Sequence, residues 1–141
     1  MTRKSKWRPI PDSVYLVEQR AETCSIVCLC MLAGCSYDEA LVAAKKVSKH
    51  VLGGLWGTEI LKTARRLGLR LTKCLRWDWA SDTGILMLET KSRQKRSWDG
   101  HTALLYSGLV YDPYERQLWR PDAYQARTDT KVRSLYRMED E

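Results

Sequence analysis

The stretch that most constrains this chain runs from Gln19 to Gly34, QRAETCSIVCLCMLAG. From Ser25 to Ala33 the run SIVCLCMLA is apolar on every side of a helical wheel. A helix of that kind cannot lie on a surface and has to be central, with the rest of the chain covering it all round. Gly34 supplies its stop, and Ala21 to Thr23 form the loop that leads in. Cys24 is then the first residue of a buried helix. A thiol at a helix N-terminus sits among unpaired N–H groups and at the positive end of the macrodipole. Both favour thiolate over thiol, the form that nucleophilic attack requires.

With 141 residues, 44% of them hydrophobic, the chain is one ordinary domain with length enough for a core. The 24 Lys and Arg exceed the 17 Asp and Glu, giving +7, which allows an acidic partner without naming one. No stretch approaches 18 apolar residues, so no membrane span is expected. The opening MTRKSKWRP is basic but lacks the apolar centre of a signal peptide. Five cysteines, an odd number with three crowded into one helix, argue against a disulfide framework. A reducing cytoplasm is the expected compartment.

Taken in order, residues 1–13 read as a basic N-terminal arm closed by Pro9 and Pro11. The apolar segment Val14 to Val17 delivers Gln19, and the Cys24 helix follows. Ser36-Tyr37-Asp38-Glu39 has the spacing of a capping box, opening a second helix that runs to about His50. His50 near that end is read as a surface residue compensating the helix dipole. Thr58 is expected to cap a third helix through Leu67, with Gly68 as its C-terminal glycine. Beyond Gly68 the period changes from helical to alternating. Strands are expected around residues 69–74, at Gly84 to Glu89, at HTALLY (101–106), at LVYD (109–112) and at Gln117 to Trp119. The basic run Lys91 to Arg96 between two of them reads as an exposed loop bordering the histidine strand. Residues 14–120 thus form an α+β domain of N-terminal helices packed on an antiparallel sheet. Residues 121–141 are a polar tail for which frayed helix and coil are equal expectations.

Hairpin register places a second group of residues. HTALLY and LVYD flank Ser107-Gly108, a natural two-residue turn. With that turn Ala103 faces Asp112, and His101 points to the same face as Ala103. His101 and Asp112 become diagonal neighbours, roughly 5.5–8 Å apart at the backbone and within side-chain reach. A carboxylate there can fix the imidazole tautomer while the other ring nitrogen faces a thiol. Asp99 competes for the histidine, but the hairpin register makes Asp112 the expected partner.

Gln19, Cys24 with its CLCMLAG continuation, Gly100-His101 and Asp112-Pro113 together resemble the papain-like cysteine peptidases of the C39-like group. Ser36-Tyr37 after the helix and Thr83 to Leu86 before the histidine strand also suit small stand-alone members. The resemblance covers about residues 14–120 and implies a papain-like cysteine peptidase fold. It implies Cys24 as nucleophile, His101 as general base and acid, and Asp112 as the orienting carboxylate. Gln19 would lend its side-chain amide to an oxyanion hole with the Cys24 backbone N–H. The substrate implied is a peptide or protein amide, with no cofactor. Two departures stand out: five positions separate Gln19 from Cys24 where the family usually has six, and Ser25 follows the cysteine where glycine is common. They point to the alternative, a catalytically weak or inactive relative that binds a peptide or protein in the same groove.

Other chemistries fit less well. Buried cysteines are usually small apolar side chains, which suits Cys28, Cys30, Cys35 and Cys74. The spacing of Cys24, Cys28, Cys30 and Cys35 is not that of paired zinc knuckles, so no metal is expected. The basic arm and the run Lys91 to Arg96 could meet phosphates, yet 17 acids offset them and no nucleic-acid signature is present. Nucleic acid is therefore not the expected partner.

Overall fold

The computed structural model describes residues 24–49, 51, 55, 57–91, 98–113 and 115–139. The basic arm, Gln19, His50 and the run 92–96 lie outside them. The first helix, α1 (Cys24–Ala33), is buried at every residue from Cys24 to Leu32, as a charge-free decapeptide must be. It ends at Gly34, whose φ of 68° is left-handed, with the Cys35 N–H donating to the Cys30 carbonyl at 3.1 Å.

Helix α2 (Tyr37–Val47) opens on the expected capping box: the Ser36 hydroxyl accepts from the Glu39 N–H at 3.1 Å, and the Glu39 carboxylate accepts from the Ser36 N–H at 3.4 Å. It stops at Val47 and not near His50, because Ser48 turns to extended backbone while its N–H still donates to Ala44. Helix α3 (Gly57–Arg66) begins before Thr58, so the expected threonine cap is absent. The reason is tertiary. A side chain at residue 57 would occupy the place of the Tyr136 hydroxyl, so this helix starts on a glycine pressed against the sheet. At its other end Gly68 has φ 81°, and N–H bonds from Gly68 to Arg65 (3.1 Å) and from Leu69 to Ala64 (2.8 Å) complete a Schellman cap. Leu69 is spent on that cap, and the first strand starts only at Leu71.

The strands are β1 (Leu71–Cys74), β2 (Gly84–Lys91), β3 (Trp98–Tyr106), β4 (Leu109–Asp112), β5 (Gln117–Trp119) and β6 (Thr130–Met138), with a short helix α4 (Pro121–Gln125) before the last. They form one antiparallel sheet in the order β1-β6-β2-β3-β4-β5. The fold is α+β, with the helices first in the chain. Ser107 (φ 52°) and Gly108 (φ 78°) make the mirror-image turn that matches strand twist. Leu104 pairs with Tyr111 and Leu105 with Val110, the register expected from a two-residue turn.

The segment beyond Pro121 is the main departure from the sequence reading. It is not a tail: β6 lies inside the sheet, paired with β1 on one side and β2 on the other. Lys131 and Arg133 are exposed, with Arg133 bridging to Glu89 at 2.9 Å, while Ser134, Leu135 and Tyr136 are all buried. Three consecutive buried residues mean that both faces of the strand are covered. On the helix side Ile85, Leu104, Tyr111 and Tyr136 pack with α1, α2 and α3. On the other side Leu86, Ala103, Leu105, Val110 and Leu135 pack with Tyr124 of α4.

Truncating Leu135, fully buried in the second cluster, leaves a cavity in an interior strand. Leu135→Ala is expected to cost about 2–5 kcal/mol of unfolding free energy, measured by urea titration. A loss below about 1 kcal/mol would place β6 outside the cooperative core.

Candidate active site

Three elements bring the expected side chains together. Cys24 is the first described residue of α1, His101 lies in β3 and Asp112 ends β4. All three are buried, at 8%, 9% and 3% exposure. The His101 Nε2–H donates to Asp112 Oδ1 at 2.9 Å, the diagonal contact that the hairpin register requires. The His101 imidazole also acts on the Cys24 thiol, each favouring the charged form of the other, so one ring couples carboxylate and sulfur. Gln19 lies outside the described residues.

Two further residues, neither singled out from the sequence, complete the line. The Thr102 hydroxyl donates to Cys24 Sγ at 3.0 Å. The sulfur therefore lies close against β3, where both His101 and Thr102 can reach it. At the other end the Tyr124 hydroxyl donates to Asp112 Oδ2 at 2.7 Å, and the Glu115 N–H donates to Oδ1 at 3.3 Å. Tyr124 is fully buried. It stands edge-on to Trp119 with ring centres 5.9 Å apart, and the Arg127 guanidinium lies 5.3 Å from its ring. Arg127 is held in turn by a two-pronged pair with Glu115 at 2.6 and 3.0 Å. The alternation of β3 makes Thr102 legible in hindsight as a residue of the helix-facing side. Nothing in the sequence near Tyr124 marks it.

The charges follow from these contacts. Burial alone pushes the Cys24 thiol up, but the hydrogen bond and charge of His101 and the donors of Thr102 outweigh it, and the net shift is downward. Burial likewise opposes protonation of His101, yet its bonds to Asp112 and Cys24 raise it to about 10. Asp112 is held below the usual carboxylate range because the donors from His101, Tyr124 and Glu115 overcome its desolvation. Each shift favours the charged form: thiolate at Cys24, imidazolium at His101 and carboxylate at Asp112. Cys28, one turn on in α1, contrasts with this: burial and the Cys24 charge raise its thiol well above the ordinary value. Cys30 donates to the Val27 carbonyl at 3.1 Å, as an inert core cysteine does.

Among the described residues, no group of three or more His, Cys, Asp and Glu converges as metal ligands would. No single helix among them is long and apolar enough to cross a membrane. Comparison with protein-family models, with curated proteins and with solved structures finds no match in any of the three.

A thiolate held by an imidazolium should react where ordinary thiols do not. A brief, limiting dose of iodoacetamide near pH 6 is expected to label Cys24 ahead of Cys35, whose thiol burial pushes up. The Cys24 rate should begin its rise at lower pH than the Cys35 rate, which climbs through the alkaline range. For stability the raised His101 acts in one direction: folding gains the full contribution below the free-imidazole value of 6.5 and loses it as pH rises through about 10. Equal labelling of the two cysteines at pH 6, read by peptide mass mapping, would contradict the ion pair.

Proposed function

We propose that the chain is a thiol-dependent hydrolase of papain-like type, cleaving a peptide or isopeptide amide. The observation that carries this reading is the buried set Cys24, His101 and Asp112, with His101 hydrogen-bonded to Asp112 at 2.9 Å and coupled electrostatically to Cys24. A nucleophile, a base within reach and a third group orienting the base are the parts that acyl transfer through sulfur requires. The resemblance of the Gln19, Cys24, His101 and Asp112 constellation to the C39-like peptidases supports the same assignment.

In the proposed reaction the Cys24 thiolate attacks the amide carbonyl, and the oxygen takes the negative charge. The Cys24 N–H and the Gln19 side-chain amide would stabilise that oxyanion. As the C–N bond breaks, the His101 imidazolium gives its proton to the departing amine, leaving a thioester on Cys24 and a neutral imidazole. Water then enters, His101 removes its proton, and attack on the thioester releases the acid and restores thiolate and imidazolium. Asp112 keeps its charge throughout and stabilises the imidazolium at the two stages where it exists. Tyr124 restrains that carboxylate through its second oxygen, so the ring cannot swing away from the sulfur.

One observation favours a second reading. Cys24 and His101 are both buried, and with five positions from Gln19 and Ser25 after the cysteine this suits a relative that binds a polypeptide at the site without turnover.

The two readings separate with a peptidyl epoxide probe and a peptide library followed by mass spectrometry. The hydrolase should form a covalent adduct at Cys24 and release cleaved products, with both lost in Cys24→Ala. His101→Ala should lower turnover by about 10²–10⁴-fold, the usual worth of general acid–base catalysis. Tyr124→Phe keeps the ring and loses one hydrogen bond to the carboxylate. It should lower turnover by roughly tenfold and shift the pH–rate profile, an effect that a packing role alone does not produce. Binding of library peptides with no products and no adduct would leave the second reading standing.

A further inference from the structure

Away from Cys24, the antiparallel pair α2 and α3 carries two adjoining hollows of about 440 and 470 Å³ that share Lys46 and Arg66 as lining residues. Together they make one trough along both helices. Its apolar lining is Val42, Ala43 and Leu67, with Val42 55% exposed although it is a large aliphatic side chain on a structured helix. One end is basic, where Lys62 and Arg65 join Lys46 and Arg66. The other end is acidic, with Asp38 and Glu39. Among the described residues none of the four cations forms an ion pair.

Cations in a last helical turn are ordinarily explained by the macrodipole, and Lys46, Arg65 and Arg66 occupy such turns. That account does not require residues from two helices to converge on one hollow, where they repel each other. Nor does it explain the aliphatic lining. We propose that the α2–α3 trough docks an acidic amphipathic segment of a partner polypeptide. The segment places apolar side chains on Val42 and Leu67 and carboxylates against Lys46, Arg66 and their basic neighbours. Its far end, facing Asp38 and Glu39, carries a basic residue. Between residues 38 and 47 helix α2 rises roughly 13 Å, which suits a segment of several residues and not a single small anion. A nucleic acid fits less well, since two carboxylates close one end of the trough and no aromatic side chain lines it for base stacking. Charge at the rim sets orientation and on-rate, and the apolar lining holds the segment once docked. The proposal goes beyond the chemistry at Cys24 and does not depend on it.

The test uses the full chain and a fluorescein-labelled synthetic peptide of about twelve residues, long enough to span the trough at about 1.5 Å per residue. The peptide carries leucines at helical spacing, glutamates along one half and a lysine at the opposite end. Fluorescence anisotropy at physiological salt should show saturable binding, with weaker binding as salt rises. The charge reversal K46E/R66E should weaken it at least about tenfold, and the neutral K46Q/R66Q should give an intermediate loss. Both variants should keep the parent's thermal midpoint and the parent's Cys24 labelling by iodoacetamide, so a failure of the hydrolase reading remains a separate result. Three outcomes overturn the proposal: no saturable binding, binding that K46E/R66E leaves within about twofold, or a (dT)12 oligonucleotide that binds more tightly than the peptide and displaces it.

Discussion

Three ionisable groups lie in the interior beside α1, and their charged forms are favoured there only because each is answered by the next. A lone buried carboxylate, imidazolium or thiolate would shed its charge to escape the cost of leaving water. Here Asp112 takes donors from His101, Tyr124 and Glu115, His101 lies between carboxylate and sulfur, and Cys24 has His101 and Thr102. With all three in their charged forms the net charge is −1, and two neutral hydroxyls cap the ends. Removing any one member leaves a neighbour buried and unanswered, which is costlier than the bond itself. The apolar helix follows from the same constraint. A charge-free α1 puts no competing ion beside this line.

How the chain assembles that line explains what its sequence disclosed. The α1 helix was legible because eight apolar residues in a row, Ile26 to Ala33, permit only a buried position. The Ser107-Gly108 turn was legible because two adjacent residues with positive φ suit the twist of a hairpin, and from that turn the contact between His101 and Asp112 followed by counting. Both are local signals. The Ser36 capping box is local too, and it formed as read.

What escaped was decided at long range. Thr58 looks like a cap until the Tyr136 hydroxyl, nearly eighty residues away, is seen to press against Gly57. Strand β6 carries Lys131, Arg133 and Arg137 among its nine residues, a density of charge that reads as tail. It is a strand because β1 and β2 leave a gap of one strand's width between them. Its long charged side chains stay at the surface, and Arg133 meets Glu89 of β2 there. Tyr124 shows no local pattern at all. Its role exists only because α4 is folded back across β4, bringing a hydroxyl to the second oxygen of Asp112.

That return of the chain has a consequence for how the site is held. Cys24 opens the described chain and Tyr124 lies near its end, while His101, Thr102 and Asp112 occupy the hairpin between. The hairpin alone can set the distance from imidazole to carboxylate, since its register is fixed by a two-residue turn. It cannot set the orientation of the carboxylate, which is free to rotate about its own side-chain bonds. Tyr124 removes that freedom, and its own ring is held by Trp119 and by the Arg127–Glu115 pair. The Glu115 backbone N–H binds the same Asp112, so the outer ion pair and the inner carboxylate share one residue. Orientation at the sulfur therefore rests on packing on the face of the sheet opposite the helices. The two cores, divided by the sheet, are joined chemically through this line of hydrogen bonds.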